Sequence, residues 1–137
     1  MFSGIRARFC KWTPWETRML AGLAQALAAP HRPVLQAQLD AVTKIQRIVG
    51  WAEIDLYVMQ QGRVCWDGVP CFADTGEFRL ARARTVGNGI SVQSELTCLN
   101  GHLFCIESEM AVKHLAFRSD VQIQIYELDR RYAATPG

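Results

Sequence analysis

The sequence predicts an α+β fold, with two N-terminal helices packed on one face of a mostly antiparallel, meander-type sheet of five or six strands. Three observations carry this. Apolar residues recur at helical spacing as far as Gly50, the spacing changes to every second residue from Glu53 onward, and Asn100-Gly101 stands between two apolar runs. Asn-Gly in that setting is a strong hairpin signal, because a type I′ turn needs positive φ at both central residues. Helices first and strands after is the α+β order, with the helices segregated to one face.

The elements follow in order. Residues 1–12 read as an N-terminal arm in which Arg6, Arg8 and Lys11 alternate with Ile5, Phe9 and Cys10. Thr13-Pro14-Trp15-Glu16 is a compact helix start: Thr13 can cap, Pro14 has no amide hydrogen to waste, and Glu16 can close a capping box. Leu20, Leu23, Ala24 and Leu27 continue that helix, and Pro30 and Pro33 separate it from the next. From Val34 to Val49 the set Leu35, Leu39, Val42, Ile45 and Val49 makes an apolar stripe, with Gly50 as the expected stop. Residues 13–50 are thus expected to be a helical pair and residues 51–129 an antiparallel sheet.

In the sheet, Glu53–Met59 places Ile54, Leu56 and Val58 on one side and Glu53, Asp55 and Tyr57 on the other. Gln60-Gln61-Gly62 turns the chain into a short strand over Arg63–Asp67. An irregular loop carrying Cys71 and Phe72 leads to a third strand over Phe78–Val86, which Gly87-Asn88-Gly89 turns into a long strand from Ile90 to Leu99. Met110–Arg118 fits a distorted strand and a helical turn equally well. Val121–Leu128 alternates as a final strand, and residues 130–137 read as a tail. Without a repeat or a dividing linker, one domain over 1–137 is expected. The order of elements is similar to that of cystatin-like and nuclear-transport-factor-like domains, whose curved, cone-like sheet wraps its helices. That likeness rests on element order alone.

Counting outward from a two-residue turn pairs Leu99 with His102, Cys98 with Leu103, Thr97 with Phe104, Leu96 with Cys105 and Glu95 with Ile106. Side chains alternate between faces, so Leu96, Cys98, Leu103 and Cys105 are expected in the core. The opposite face then holds Glu95, Thr97, Leu99, His102, Phe104 and Ile106. It is mixed rather than polar, unlike a plainly solvated sheet face.

Composition bounds the function. The net charge of +2 is too small to imply nucleic acid or a membrane, although residues 1–50 carry seven Lys/Arg against two acids and residues 51–137 eight against eleven. Five cysteines is an odd number, and with no secretory signal pattern it suggests reduced thiols in the cytoplasm. Cys98, His102 and Cys105 have tempting zinc spacing, with Cys65 and Cys71 to complete a set. The register turns His102 away from both neighbouring thiols, so no metal and no cofactor is expected. Nucleophile-elbow, H-E-x-x-H and Walker patterns are missing, Cys71 is the one thiol in a loop-like setting, and no catalytic residue is assigned. His31, between two prolines in the helix connection, reads as solvated. Arg82 and Arg84 share a strand face that Arg79 does not, which splits the only basic patch.

The leading reading is a non-catalytic protein-interaction domain that binds another protein, or a second copy of itself, through the sheet. Thr97, Leu99, His102, Phe104, Ile106 and Tyr126 are its interface candidates, on the principle that exposed contiguous apolar surface marks an interface. A rival reading is a small-molecule-binding protein or enzyme whose pocket would hold Asp55, Tyr57, Trp66 and His102. Nucleic-acid binding ranks third.

Overall fold

Residues 12–73 and 75–134 are described by the computed structural model of the chain. Most of the expected N-terminal arm lies outside them, and Trp12, its last residue, packs against the core. Helix α1 spans Pro14–Ala26 and begins as its sequence dictates. Thr13 Oγ1 accepts from the Glu16 amide at 3.2 Å, and Glu16 accepts from the Thr13 amide at 2.9 Å. A 3-10 turn over Ala29–His31 leads into α2, Arg32–Ala41.

The expected second helix is cut short. Residues 44–48 form strand β1, Lys44–Ile48, antiparallel to β2, Glu53–Tyr57. Ile45 and Arg47 alternate inward there, whereas the spacing of Val42, Ile45 and Val49, three and four apart, is the one that fits a helix. β-branched Val42, Thr43, Ile45 and Ile48 favour the strand. Gly50 serves as a hairpin turn, not a helix stop: Val49, Gly50 and Trp51 all have positive φ. A Cβ on Gly50 would stand 2.8 Å from that of Ala111.

Two-residue strands β3, Met59–Gln60, and β4, Arg63–Val64, form a small separate hairpin. The main sheet then gains β5, Glu77–Gly87; β6, Ile90–Leu99; β7, His102–Ser108; and β8, Gln122–Leu128. Its order is β1-β2-β7-β6-β5-β8, antiparallel throughout. The ambiguous stretch before β8 is a helical turn, with a 3-10 segment at Lys113–Leu115. The tail is partly docked: Tyr132 is buried, and Ala133 bridges to Leu27 at the end of α1.

Helices cover one face of the sheet. Trp15, Met19, Leu20, Leu23, Leu35 and Leu39 meet Ile54, Leu56, Ala83, Val92, Leu96 and Leu103 in one core cluster. Several of its polar groups are paired. Trp15 Nε1 donates to Thr85 Oγ1 at 3.0 Å, Ser94 and Ser108 share a 2.7 Å hydrogen bond, and Arg47 of β1 holds fully buried Glu16 at 2.8 Å.

The Asn100-Gly101 turn has the expected positive φ values of 50° and 81°. Its pairings Leu99–His102 and Cys98–Leu103 form as expected, and then the ladder slips. Phe104 is an extra residue, so Thr97 faces Cys105, Leu96 faces Ile106 and Glu95 faces Glu107. Such a bulge exchanges the two faces beyond it. Ile106, expected on the second face, is fully buried in the core, while Cys105 moves to the other face beside Asp55. A similar irregularity at Leu80 brings Arg79 onto the face of Arg82 and Arg84, so the three arginines are not split as their parity implied.

Candidate interaction face

Residues in register across a sheet share a face, so the side away from the helices can be followed in rows. One row runs Ile48, Glu53, Glu107, Glu95, Arg82 and Glu127 from β1 to β8. The next carries Gln46, Asp55, Cys105, Thr97 and Arg79.

At the β5–β8 end the charges are matched. Arg79 reaches Glu95 at 3.1 Å and Glu127 at 2.9 Å, and Arg82 reaches the same two carboxylates at 3.1 and 3.5 Å. These groups are more than a third exposed. Each pair alone is therefore worth at most about 1 kcal/mol, and the network matters mainly because it holds four side chains in place. Beside it Arg84 lies 4.6 Å from the ring centroid of Tyr126, whose hydroxyl donates to Gln93 at 3.3 Å. Tyr126 stands out of register in a β8 irregularity, 38% exposed.

Toward β2 the acids lack such partners. Glu53 faces Glu107 directly, and Glu107 faces Glu95. The carboxyl of Glu53 is held above its ordinary pKa, first by a hydrogen bond to Asp55 and then by the charge of Asp55, with smaller parts from burial and Glu107. Tyr57 is raised by burial and then by the charges of Asp55 and Glu53. Burial pushes the Cys105 thiol far up, helped by a hydrogen bond to Asp55, which leaves it a poor nucleophile at neutral pH. Asp55 itself is 8% exposed, less than an alternating wet strand face implies.

At the hairpin tip the loop between β4 and β5 clasps both sides of the turn. Phe72 enters the core side, and its amide donates to the Gly101 carbonyl at 2.9 Å. On the other side Trp66 stacks on His102 with centroids 4.4 Å apart. The His102 ring also contacts the Val69 carbonyl at 3.5 Å. Burial lowers its pKa, so the imidazole is neutral at physiological pH. Leu99, next to it, is 43% exposed.

The sequence-derived residues divide accordingly. Thr97, Leu99, His102 and Tyr126 stand on the open face, Phe104 is the half-buried bulge residue, and Ile106 is lost to the core. Asp55 and Tyr57 share the open side of β2, whereas Trp66 and His102 cover one another. Cys98 points to the core and His102 and Cys105 to the open face. Among the described residues no group of three His, Cys, Asp or Glu is arranged to hold a metal ion. His31 is not simply solvated, since its ring packs 4.9 Å from that of Tyr132. The glutamate row escaped the sequence, because β2 and β7 pair across a long chain separation.

Among the described residues no helix is long and apolar enough to cross a membrane. Compared with known proteins, the chain matches no family model, no curated protein and no solved structure.

Proposed function

We propose that this chain is a non-catalytic protein-interaction domain that binds through the sheet face turned away from its helices. The observation that carries this reading is uneven coverage: the helices pack on one side of the six-stranded sheet, and the loop between β4 and β5 reaches over the other side at the hairpin tip. The other side offers Leu99, Tyr126 and a fixed charge network to the outside. A surface with apolar anchors and ordered polar groups suits a protein partner. A non-catalytic role is supported by the chemistry of the face, where the thiol is held protonated and the imidazole is capped by an indole. The free thiols Cys65, Cys71, Cys98 and Cys105 suit a reducing compartment such as the cytoplasm. The partner is either another protein or a second copy of the chain.

The small-molecule reading has one observation in its favour. A depression of about 320 Å3 lies on the same face between Arg82, Gln93, Glu95, Glu107, Glu109 and Tyr126. It is shallow and open, and pockets that retain small ligands enclose most of the ligand surface.

Photo-crosslinking tests the proposal. A benzophenone amino acid is placed at Thr97 or Gln93 on the open face, and at exposed Gln25 on α1 as a control. Crosslinks in cell extract concentrated at the two sheet positions are the expected outcome. Crosslinks concentrated at Gln25, or equal at all three, would contradict it.

A further inference from the structure

We propose that the end of the molecule formed by the β1–β2 turn and the β7–β8 connection rests on an anionic lipid surface, with Val49, Met110 and Phe117 entering the interface. The inference goes beyond the sheet-face reading and uses none of that reading's anchors.

β1 and β7 end, and β2 and β8 begin, at the end of the sheet opposite the Asn100-Gly101 turn. Three of the four most exposed large apolar side chains among the described residues stand there: Phe117 at 76%, Val49 at 74% and Met110 at 49%. The Gly50 carbonyl accepts from the Val112 and Lys113 amides at 3.2 Å each, which ties the turn of Val49 to the segment of Met110. Phe117 is fixed from both flanks. The Trp15 amide donates to the Ala116 carbonyl at 3.1 Å, and Arg18 donates to the carbonyls of Arg118 at 2.5 Å and Val121 at 2.7 Å. Val49 has a φ of 55°, which a β-branched residue adopts only at a cost. Both loops therefore hold apolar side chains out in water in a set arrangement, and such surface marks an interaction site.

Charge names the occupant. Arg18 and Lys113 have no carboxylate partner among the described residues. Residues 1–11, which join α1 at this end and lie outside the described residues, carry Arg6, Arg8 and Lys11 and no acid. The nearest acids are engaged: Glu16 by Arg47, Asp120 by Arg118 and Glu109 by the Gln93 amide. Glu53 and Glu107 stand on the open sheet face instead. Cations beside an anionic bilayer are drawn to it over about a Debye length. Half-buried Trp51, with Arg47 and Lys113 at 5.0 and 5.8 Å from its ring, is the amphipathic kind of side chain that bilayer interfaces favour. Side chains on separate turns also suit a fluid interface, which closes around each one. The contact lies on the bilayer and does not cross it, and it leaves the open sheet face free for its own partner.

The test is co-sedimentation of the full chain with vesicles of phosphatidylcholine alone and of phosphatidylcholine mixed with phosphatidylglycerol. The proposal expects binding to the anionic vesicles that high salt reverses, weakened about tenfold or more by Val49→Asn/Phe117→Ser and also weakened by Arg6→Gln/Arg8→Gln. Leu99→Ser, on the open face, is expected to bind as the parent does. Asn suits the left-handed backbone at position 49, so the first variant is expected to melt no lower than the parent. If it does melt lower, Phe117→Ser is measured in its place. No binding to anionic vesicles, equal binding to both kinds of vesicle, or equal binding by parent and Val49→Asn/Phe117→Ser would overturn the proposal. So would light scattering that shows a dimer of the parent, lost in that variant, without vesicle binding, since a second copy would then cover these side chains.

Discussion

Glu53 occupies a position that costs the folded state something at neutral pH. Its neighbours are Asp55 along the strand and Glu107 across from it, and both raise its pKa. A carboxyl whose folded pKa exceeds its unfolded one binds protons better in the fold, so stability falls as pH rises between those two values. Glu53→Gln is therefore expected to stabilise the protein at pH 7 by a few tenths of a kcal/mol per relieved like-charge contact, about 1–3 °C in melting temperature. The gain should vanish below the ordinary glutamate range, about pH 4, where Glu53 is protonated in both states. Asp120 and Asp129 work in the opposite sense. Arg118 holds Asp120 down to about 2 and Arg131 lowers Asp129, so what they contribute is present above the ordinary aspartate range and lost on further acidification. Differential scanning calorimetry of parent and variant from pH 7 down to about 2 separates the two trends. A variant that melts below the parent at pH 7, or a gain that grows on acidification, would contradict this account of the row.

Among the elements, the β6–β7 hairpin depends on α2 through one residue. Pairing of β7 with β2 ends at Asp55–Cys105, so on the side away from β6 the Leu103 amide has no strand to donate to. Fully buried Gln38 takes its place: Oε1 accepts from Leu103 at 3.0 Å, and Nε2 donates to the Gly101 and Pro70 carbonyls at 2.9 Å each. Gln38→Leu keeps the approximate volume and strands the buried Leu103 amide, while exposed Pro70 can turn to water and Gly101 retains Phe72. A loss of about 1–3 kcal/mol in urea unfolding is expected from the one buried group left unpaired. A loss below about 0.5 kcal/mol, within the range of ordinary surface changes, would mean that water or a shifted strand replaces the glutamine.

The same hairpin shows how far local sequence carries. Asn100-Gly101 specified its turn and the first two pairs, because turn chemistry acts within a few residues. The bulge was hidden inside Leu103-Phe104-Cys105-Ile106, four apolar residues in a row that give no alternation to read. In β5 the adjacent pair Leu80-Ala81, both buried, is the trace that its own irregularity leaves in an alternating strand. The Thr13 box was legible for the same local reason as the turn. The length of α2 was not, since Val42, Ile45 and Val49 carry helical spacing on through 44–48 and only pairing with β2 decides for the strand.

At the scale of the whole molecule, the class and the segregation of helices to one face followed from periodicity, and six strands with an appended two-stranded hairpin agree with them. What the chain alone could not supply was the strand order, because β2–β7 and β5–β8 join segments distant in sequence. The unbalanced glutamate row and the reunited arginines exist only in that order. Leu99, Tyr126 and the bulge therefore define the surface on which the functional proposal stands. Hydroxyl-radical footprinting of the free protein, read residue by residue by mass spectrometry, tests that surface most directly. Rapid oxidation of Leu99 and Tyr126 with Ile106 and Leu103 protected is the predicted pattern. Oxidation of Ile106 at a rate comparable to Leu99, or protection of Leu99 and Tyr126 together, would contradict an open face set by the slip at Phe104.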